Sequence, residues 1–189
     1  MDWYVADKAY AEYLETIDSK VGFIDYGSKI KLHVGIIHNI NGFKYYVPIS
    51  SCKPKHLNMS NNIDFHKIQD PTTGFIYAVL NINNMIPVPD KYIVQLKYNE
   101  IEKYRPFSCE KEKIDYIYLL QLEKSIIDSI EAVITNKATS LYNKFMNNPN
   151  SNLSKRCCNF QRLEVTCKEY EAYSIKVTEY ADEAAVSKE

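Results

Sequence analysis

The spacing of apolar positions divides this chain into a β-rich part and a helical part. Up to about residue 98, short runs of β-branched and aromatic residues are separated by turn-forming residues, which is typical of strands. From Lys111 to about Phe145 the period becomes helical, and a break near Thr135–Lys137 predicts two helices there. The recurring positions of the first are Ile114, Ile117, Tyr118, Gln121, Leu122, Ser125 and Ile126. Strands followed by helices indicate an α+β fold.

Local signals place the individual elements. Asp7 is a favourable N-cap residue, and Asn41-Gly42 is the pair preferred in a type I′ hairpin turn. The predicted elements are a strand at residues 2–6, a helix from Asp7 to about Ile17, a hairpin around Asn41-Gly42, a second hairpin from Ile63 to Ile82 with its turn at Asp70–Gly74, a strand near Tyr92–Tyr98, a loop at Asn147–Asn152 and a last helix from Phe160 to Tyr180. Residues 1–180 are expected to form one compact domain, and the polar residues 181–189 a frayed tail.

The register of the first hairpin follows from its turn. If Asn41-Gly42 is a two-residue turn, the hydroxyl of Ser50 lies opposite His33. One face of the hairpin then collects apolar side chains, and the other collects Lys31, His33, Gly35, Lys44, Tyr46 and Ser50. Pro48 has no N–H, which points to an edge position or to a bulge that would shift this register. The second face is a candidate surface for an anionic ligand.

Composition narrows the classes of function. The 189 residues are 46% hydrophobic and 25% charged, and the net charge of −1 disfavours binding to nucleic acid or membrane through bulk charge alone. No apolar run is long enough to cross a membrane, and no targeting signal is visible. Five scattered cysteines indicate a reduced, cytoplasmic protein. Cys157, Cys158 and Cys167 lack the spacing of a metal site, so neither a metal nor another cofactor is expected.

Charge is unevenly distributed along the chain. Between Tyr26 and Ile63 there is no Asp or Glu, whereas five lysines and three histidines lie there: Lys29, Lys31, Lys44, Lys53, Lys55, His33, His38 and His56. The strand end in this segment, Ser50-Ser51-Cys52-Lys53, combines hydroxyls with a cation, which suits a phosphate or an oxyanion. An alternative explanation needs no ligand: lysines on edge strands prevent aggregation, and these lysines could serve that purpose.

Several short motifs, taken in order, carry a resemblance to a known family. They are Tyr10 in YVADKAYAEYL, Lys31-x-x-x-Gly35-Ile36, Gly42-Phe43-Lys44-Tyr45, Pro48-Ile49-Ser50-Ser51-Cys52-Lys53, Met85-Ile86-Pro87, Tyr118-Leu119-Leu120-Gln121-Leu122, Cys158-Asn159-Phe160 and Leu163-Glu164. Over roughly Met1 to Tyr170 the chain resembles the ToxN/AbiQ family, the endoribonuclease toxins of bacterial type III toxin–antitoxin and phage-abortive systems. That family usually has Thr-Ser-Pro-Lys at the strand end, where this chain has Ser50-Ser51-Cys52-Lys53.

The resemblance implies a fold, an activity and a partner. The fold would be a strongly bent antiparallel sheet wrapped by helices, like that of the Kid/MazF toxins. The activity would be metal-independent cleavage of cellular or phage RNA, leaving a 2′,3′-cyclic phosphate and a 5′-hydroxyl. The partner would be a small pseudoknotted RNA antitoxin, encoded as tandem repeats that the toxin itself cuts into units. Related complexes close into rings of three proteins and three RNAs.

The resemblance and the hairpin geometry together name the candidate site residues. By resemblance the catalytic residues are Ser51, Lys31, Lys53, Ser50, Tyr10 and Tyr118. The RNA-binding candidates are Lys29, His33, Lys44, Tyr46, Lys55 and His56. Core packing is an alternative role for Tyr10 and Tyr118, which have apolar neighbours at helical spacing. His33 has an equally simple alternative as a polar strand residue.

Three other functions compete with the nuclease hypothesis. A non-catalytic RNA-binding module would use the same basic segment without cleavage. An acyl-transfer enzyme would pair Ser51 with His33 or His56, but no G-x-S-x-G motif supports it. A purely structural interaction protein would leave the acid-free basic hairpin unexplained.

Overall fold

The structure, a computed structural model, describes residues 1–22 and 31–172. Lys29 and the predicted tail 181–189 therefore lie outside the described residues. The strands are β1 (Asp2–Ala6), β2 (Leu32–Ile40), β3 (Phe43–Ser51), β4 (His66–Gln69), β5 (Ile76–Leu80), β6 (Ile86–Pro87) and β7 (Ile93–Gln95). The helices are α1 (Lys8–Ile17), α2 (Pro54–Leu57), α3 (Glu110–Ser129), α4 (Glu131–Asn147) and α5 (160–172). This mixture of strands and helices confirms the predicted α+β class.

The strands form one antiparallel sheet in the order β4-β5-β3-β2-β1-β7, with β6 paired to β3. Strand β3 changes its partner on one side along its length. Its first half pairs with β6 at Tyr45 and Tyr46, and its end pairs with β5 from Ile49 to Ser51. The hydroxyl-bearing end of β3 is therefore held in the sheet by its pairing with β5.

The predicted helix cap at Asp7 and the predicted turn at Asn41-Gly42 are both confirmed. The Asp7 side chain caps α1 by accepting a hydrogen bond from the Tyr10 N–H at 2.9 Å, which satisfies one of the donors left free at a helix start. Asn41 and Gly42 connect β2 to β3 with φ values of 53° and 83°. Positive φ at both positions is the type I′ geometry, which Asn and Gly adopt with little strain.

The predicted register holds near the turn and fails beyond it. Asn39 still pairs with Lys44, but a bulge between Val34 and His38 shifts the ladder, so His33 pairs with Pro48. The prediction that His33 lies opposite Ser50 is therefore wrong. Its physical reason is the bulge, which accommodates a proline that cannot donate to the ladder.

The middle of the hairpin face predicted to meet a ligand is instead covered by protein. Tyr46 lies against Gly35, where an added Cβ would come within 2.1 Å of the tyrosine ring. Tyr4 contacts the same ring edge-on, with the ring centres 5.1 Å apart. His33 is also buried. Only glycine at position 35 lets the aromatic ring lie this close to the strand.

The helical part begins as predicted but divides at a different residue. The chain breaks between α3 and α4 at Ile130, not near Thr135–Lys137. Residues Ile134, Ala138 and Leu141 form one buried face of α4 that runs through the expected break. Burial of this face outweighs the weak helix propensity of the intervening polar residues.

The buried face of α3 also differs from the predicted one. Leu120, Glu123 and Ile127 are buried, whereas Ile114 and Tyr118 are 57% and 66% exposed. Helical spacing from Leu120 places Tyr116, four residues earlier, on the inward side. The side of α3 that faces the core is therefore not the side predicted from the sequence.

Two further properties concern the whole of the described chain. Across residues 1–22 and 31–172, no helix combines the length and the apolar character needed to span a membrane. All five cysteines are free thiols. Cys157, Cys158 and Cys167 are buried, and burial raises the pKa of Cys157 and Cys167 to about 11.

Candidate active site

A groove of about 480 Å³ opens beside the end of β3. It is lined by Gly22, Lys31, Ile49, Ser50, Ser51, Lys53, Asn81, Asn84, Arg105 and Tyr116. Four of the six predicted catalytic residues are in this set, namely Lys31, Ser50, Ser51 and Lys53. They come from two separate segments of the sequence, which the β2–β3 hairpin brings together.

The two hydroxyls are fixed by the pairing of β3 with β5. Ser50 pairs with Val79 and Ser51 with Ala78, so their backbone cannot move independently of the sheet. The Ser50 Oγ accepts a hydrogen bond from Asn81 Nδ2 at 3.2 Å. Ser51 is exposed at the groove, and its hydroxyl is available to a ligand.

Lys31 is held by backbone oxygens rather than by a carboxylate. Its Nζ donates to Val21 O at 2.9 Å and to Gly22 O at 2.8 Å. Burial lowers the pKa of Lys31, because the charged form loses hydration. An anion bound in the groove would compensate this loss and stabilise the ammonium group.

Lys53 is positioned by the short helix that follows it. The Lys53 N–H donates to His56 Nδ1 at 3.0 Å, and Lys53 O accepts from the His56 N–H at 2.8 Å. Burial and the neighbouring Lys55 and Lys53 lower the pKa of His56, which favours the neutral ring that this bond requires. His56 was expected to bind RNA. In the structure His56 is instead buried and positions the backbone of Lys53. The side chain of Lys53 is exposed at the groove, whereas the exposed Lys55 lies outside the groove.

Two groove residues, Arg105 and Tyr116, were missed by the sequence reasoning. The Arg105 guanidinium lies 4.4 Å from the centre of the Tyr116 ring and 5.2 Å from that of Phe107. Its Nη2 donates to Glu112 Oε1 at 2.8 Å. Hydrogen bonds from Ser108 and Arg105 lower the pKa of Glu112 to about 2, which keeps this anchor ionised.

The signal for Tyr116 was present in the sequence, whereas that for Arg105 was not. Tyr116 shares the helical face of Leu120 and Ile127, so the correct phase of α3 would have found it. Arg105 lies in a connection before α3, and no spacing rule relates it to the end of β3.

Tyr10 and Tyr118 are not part of the groove. Tyr10 has no exposed surface, donates to Pro87 O at 2.7 Å and stacks on Tyr92. Its catalytic assignment is corrected to core packing, because RNA cannot reach a fully buried ring. Tyr118 is exposed on α3, so the core-packing alternative is wrong; it does not line the groove, and its catalytic role stays a prediction.

The predicted RNA-binding residues are also dispersed. His33 and Tyr46 are buried in the sheet, and burial lowers the pKa of His33 to about 3. They are therefore corrected from ligand contacts to packing residues. Lys44 is paired with Asp90 at 2.7 Å and lines a different groove, of about 310 Å³, near the hairpin turn. Lys55 remains an exposed cation next to the site.

The groove offers three cations and an accessible hydroxyl, without a histidine among its lining residues in the described part of the chain. Ser51 therefore lacks the imidazole partner that an acyl-transfer enzyme needs. Lys31, Lys53 and Arg105 can bind a phosphate and the charge that develops on it. Within residues 1–22 and 31–172, no three His, Cys, Asp or Glu side chains are grouped to hold a metal ion.

The chain is similar to proteins of known activity over most of its length. It is 29% identical to the endoribonuclease ToxN of Bacillus thuringiensis subsp. kurstaki over 161 residues, which cover 85% of this chain and 79% of that protein. It is 25% identical to the endoribonuclease AbiQ of Lactococcus lactis subsp. lactis over 177 residues, which cover 89% and 88% of the two proteins.

The fold has a counterpart among solved structures. A chain from a type III toxin–antitoxin system, whose toxin is selectively inhibited by a non-coding RNA pseudoknot, superposes with a TM-score of 0.72 at 26% identity. The match covers 90% of this chain and 97% of that one. Residues 3–168 match the family described as toxin ToxN of the type III toxin–antitoxin system. This chain belongs to the ToxN family of type III toxins.

Proposed function

We propose that this protein is an endoribonuclease toxin of a type III toxin–antitoxin system and that the groove beside the end of β3 is its active site. The observation that carries the proposal is the convergence of Lys31, Ser51 and Lys53 in one groove of a chain from the ToxN family. The relatives named endoribonucleases support the reaction class.

The proposed chemistry uses the RNA's own 2′-hydroxyl as the nucleophile. Its oxygen attacks the adjacent phosphorus, the bond to the 5′-oxygen breaks, and a 2′,3′-cyclic phosphate and a 5′-hydroxyl remain. The protein must align these atoms and stabilise the phosphorane, which requires neither a covalent intermediate nor a metal. Lys31, Lys53 and Arg105 supply positive charge, and the Ser51 hydroxyl binds a non-bridging oxygen.

The proposed partner is an RNA antitoxin made of small pseudoknot repeats, which the toxin processes and which then inhibits it. The structural relative with a pseudoknot inhibitor supports this assignment. We further propose that three proteins and three RNAs close into a ring, by analogy with the family. Cellular or phage RNA in the cytoplasm is then the substrate when the antitoxin is absent.

The test is cleavage of a mixed-sequence RNA by purified protein in excess EDTA, with identification of the new 3′ ends. Ser51→Ala is the inactive variant, and Ser60→Ala is its matched control, because Ser60 is exposed in a loop outside the groove. Wild type and Ser60→Ala should produce cyclic phosphate ends, whereas Ser51→Ala should not. A 3′-monophosphate or 3′-hydroxyl product that requires added metal would overturn the chemistry. Binding of RNA without cleavage would favour the non-catalytic binding module.

A further inference from the structure

A second, smaller pocket of about 140 Å³ adjoins the groove across the end of β3. Both cavities are lined by Ile49, Ser50, Ser51 and Tyr116. Helix α3 forms one wall of the small pocket and contributes Glu123 to it. The pocket is too small for a nucleotide, but it can hold a hydroxyl group or a few water molecules.

Glu123 is an unusual residue on the inward face of α3. Its side chain is 5% exposed, between the buried Leu120 and Ile127. Within the described residues no cation compensates it, and burial alone raises the pKa of its carboxyl to about 7. A leucine at this position would stabilise the core better, because burial of an uncompensated carboxyl costs free energy.

Among the described residues that line the small pocket, none is a cation that could pair with Glu123. Strand β3 contributes Ser50 and Ser51, strand β5 contributes Tyr77, and α3 itself contributes Tyr116. The negative charge on Glu123 raises the pKa of Tyr116, so the two groups are close in space. The carboxyl therefore shares a small pocket with the two hydroxyl-bearing residues at the end of β3, Ser50 and Ser51.

We propose that Glu123 accepts the proton of the ribose 2′-hydroxyl during RNA cleavage, directly or through one water molecule. This inference rests on the proposed function and adds the proton acceptor that the groove otherwise lacks. The 2′-oxygen forms its bond to phosphorus as its proton passes to the Glu123 carboxylate. The bond between phosphorus and the 5′-oxygen breaks, the 5′-oxygen takes a proton from water, and Glu123 returns its proton to the resulting hydroxide.

The placement explains why such a group is useful at this position. A general base is most effective when its pKa is near the working pH, because it is then both ionised and basic enough to accept a proton. A carboxyl in water is too weak a base for this role. Burial in the pocket that Glu123 shares with Ser50 and Ser51 raises its pKa and so supplies the required basicity.

The experiment compares single-turnover RNA cleavage by wild type, Glu123→Gln and Glu123→Asp between about pH 5.5 and 8.5. Glu164→Gln is the matched control: Glu164 is a partly buried carboxylate that accepts hydrogen bonds from Tyr45 and Tyr142, away from the groove. RNA binding and the unfolding midpoint are measured for every variant.

Four results are expected. Glu123→Gln should cleave about 100- to 10,000-fold more slowly while it binds RNA like wild type. The wild-type rate should increase with pH up to about 7, and this increase should be absent from Glu123→Gln. Glu123→Asp should recover part of the rate. Glu123→Gln should also unfold at an equal or higher temperature at pH 8, since the raised pKa destabilises the ionised folded protein there.

Two results would overturn the inference. Glu123→Gln could cleave at the rate of wild type with the same pH profile, which would leave the proposed nuclease function intact. It could instead lose stability and RNA binding together with activity, which would assign Glu123 to structure. If wild type itself does not cleave RNA, the proposed function fails, and the inference fails with it.

Discussion

Replacement of Arg105 tests a residue of the proposed active site that only the structure brings to the groove. Its guanidinium stacks on Tyr116 and Phe107 and is anchored by Glu112 at 2.8 Å. These contacts hold a planar cation at the wall of the groove before any RNA arrives. We expect Arg105→Gln to bind RNA more weakly and to stabilise the phosphorane less well, because the variant keeps a polar side chain but loses the charge.

The magnitude follows from two separate contributions. Loss of a preorganised charge-stabilising donor costs about 2.7–4 kcal/mol of transition-state stabilisation, so kcat/KM should decrease about 100- to 1000-fold. The stability change should be smaller. The Arg105–Glu112 pair is partly exposed, at 22% and 37% of the two side chains, so solvent screening keeps its contribution to stability small. The two ring contacts add about 0.5–1 kcal/mol each.

The assay measures kcat/KM for RNA cleavage and the free energy of unfolding in parallel. Arg105→Lys should lie between wild type and Arg105→Gln, because lysine keeps the charge but cannot stack or form the same bond to Glu112. Arg162→Gln is the matched control, since Arg162 is exposed on α5 outside the groove. Activity of Arg105→Gln within about threefold of wild type would refute a role for Arg105 in the reaction.

Three further variants test the corrections that the structure makes to the sequence expectations. Gly35→Ala should lower the free energy of unfolding by about 1–3 kcal/mol in denaturant titrations, since its Cβ would lie 2.1 Å from the Tyr46 ring; an unchanged midpoint would contradict this packing. Tyr10→Phe should cleave RNA within about threefold of wild type but lose about 1–3 kcal/mol of stability, because Pro87 O loses its donor; a catalytic role would reverse this result. The pKa of His33 is about 3 in the folded protein and 6.5 ordinarily, so folding favours the neutral ring. His33 therefore stabilises the fold above pH 6.5 and loses this contribution as pH falls toward 3; His33→Gln should show a flatter decrease in stability over that range, and parallel curves would refute it.

The elements that the sequence predicted correctly depend on local interactions. The Asp7 cap involves an N–H three residues away, and the turn at Asn41-Gly42 depends on the conformations that those two residues prefer. The second hairpin was also predictable, because Asp70 accepts hydrogen bonds from the N–H groups of Thr72 and Thr73 within its own turn. Such signals are readable without knowledge of the tertiary structure.

The incorrect predictions concern which side of a strand or helix faces the protein interior. Pro48 indicated that a bulge could occur but not where, and the bulge between Val34 and His38 moves His33 away from Ser50. The buried face of α3 contains Glu123, a residue type that sequence reasoning places in solvent. The buried face of α3 was therefore predicted without Glu123. Tyr118 was predicted to be at the site, whereas Tyr116 lines the groove.

The site was predictable where its residues are adjacent in sequence or paired in a hairpin. Ser50, Ser51 and Lys53 lie within four residues at a strand end, and Lys31 immediately precedes the partner strand. Arg105 reaches the groove only through the packing of a distant connection, as an ion pair and two aromatic rings orient it. No periodicity in the sequence encodes that contact.

The central claim is that the groove at the end of β3 cleaves RNA, and Ser51→Ala tests it most directly. The measurement is the single-turnover cleavage rate of one RNA, at protein concentrations where binding of that RNA is saturated for both proteins. Ser51→Ala should bind the RNA within about tenfold of wild type and cleave it at least about 100-fold more slowly. Cleavage at the wild-type rate by the fully bound variant would contradict the central claim and would place the active site elsewhere on the molecule.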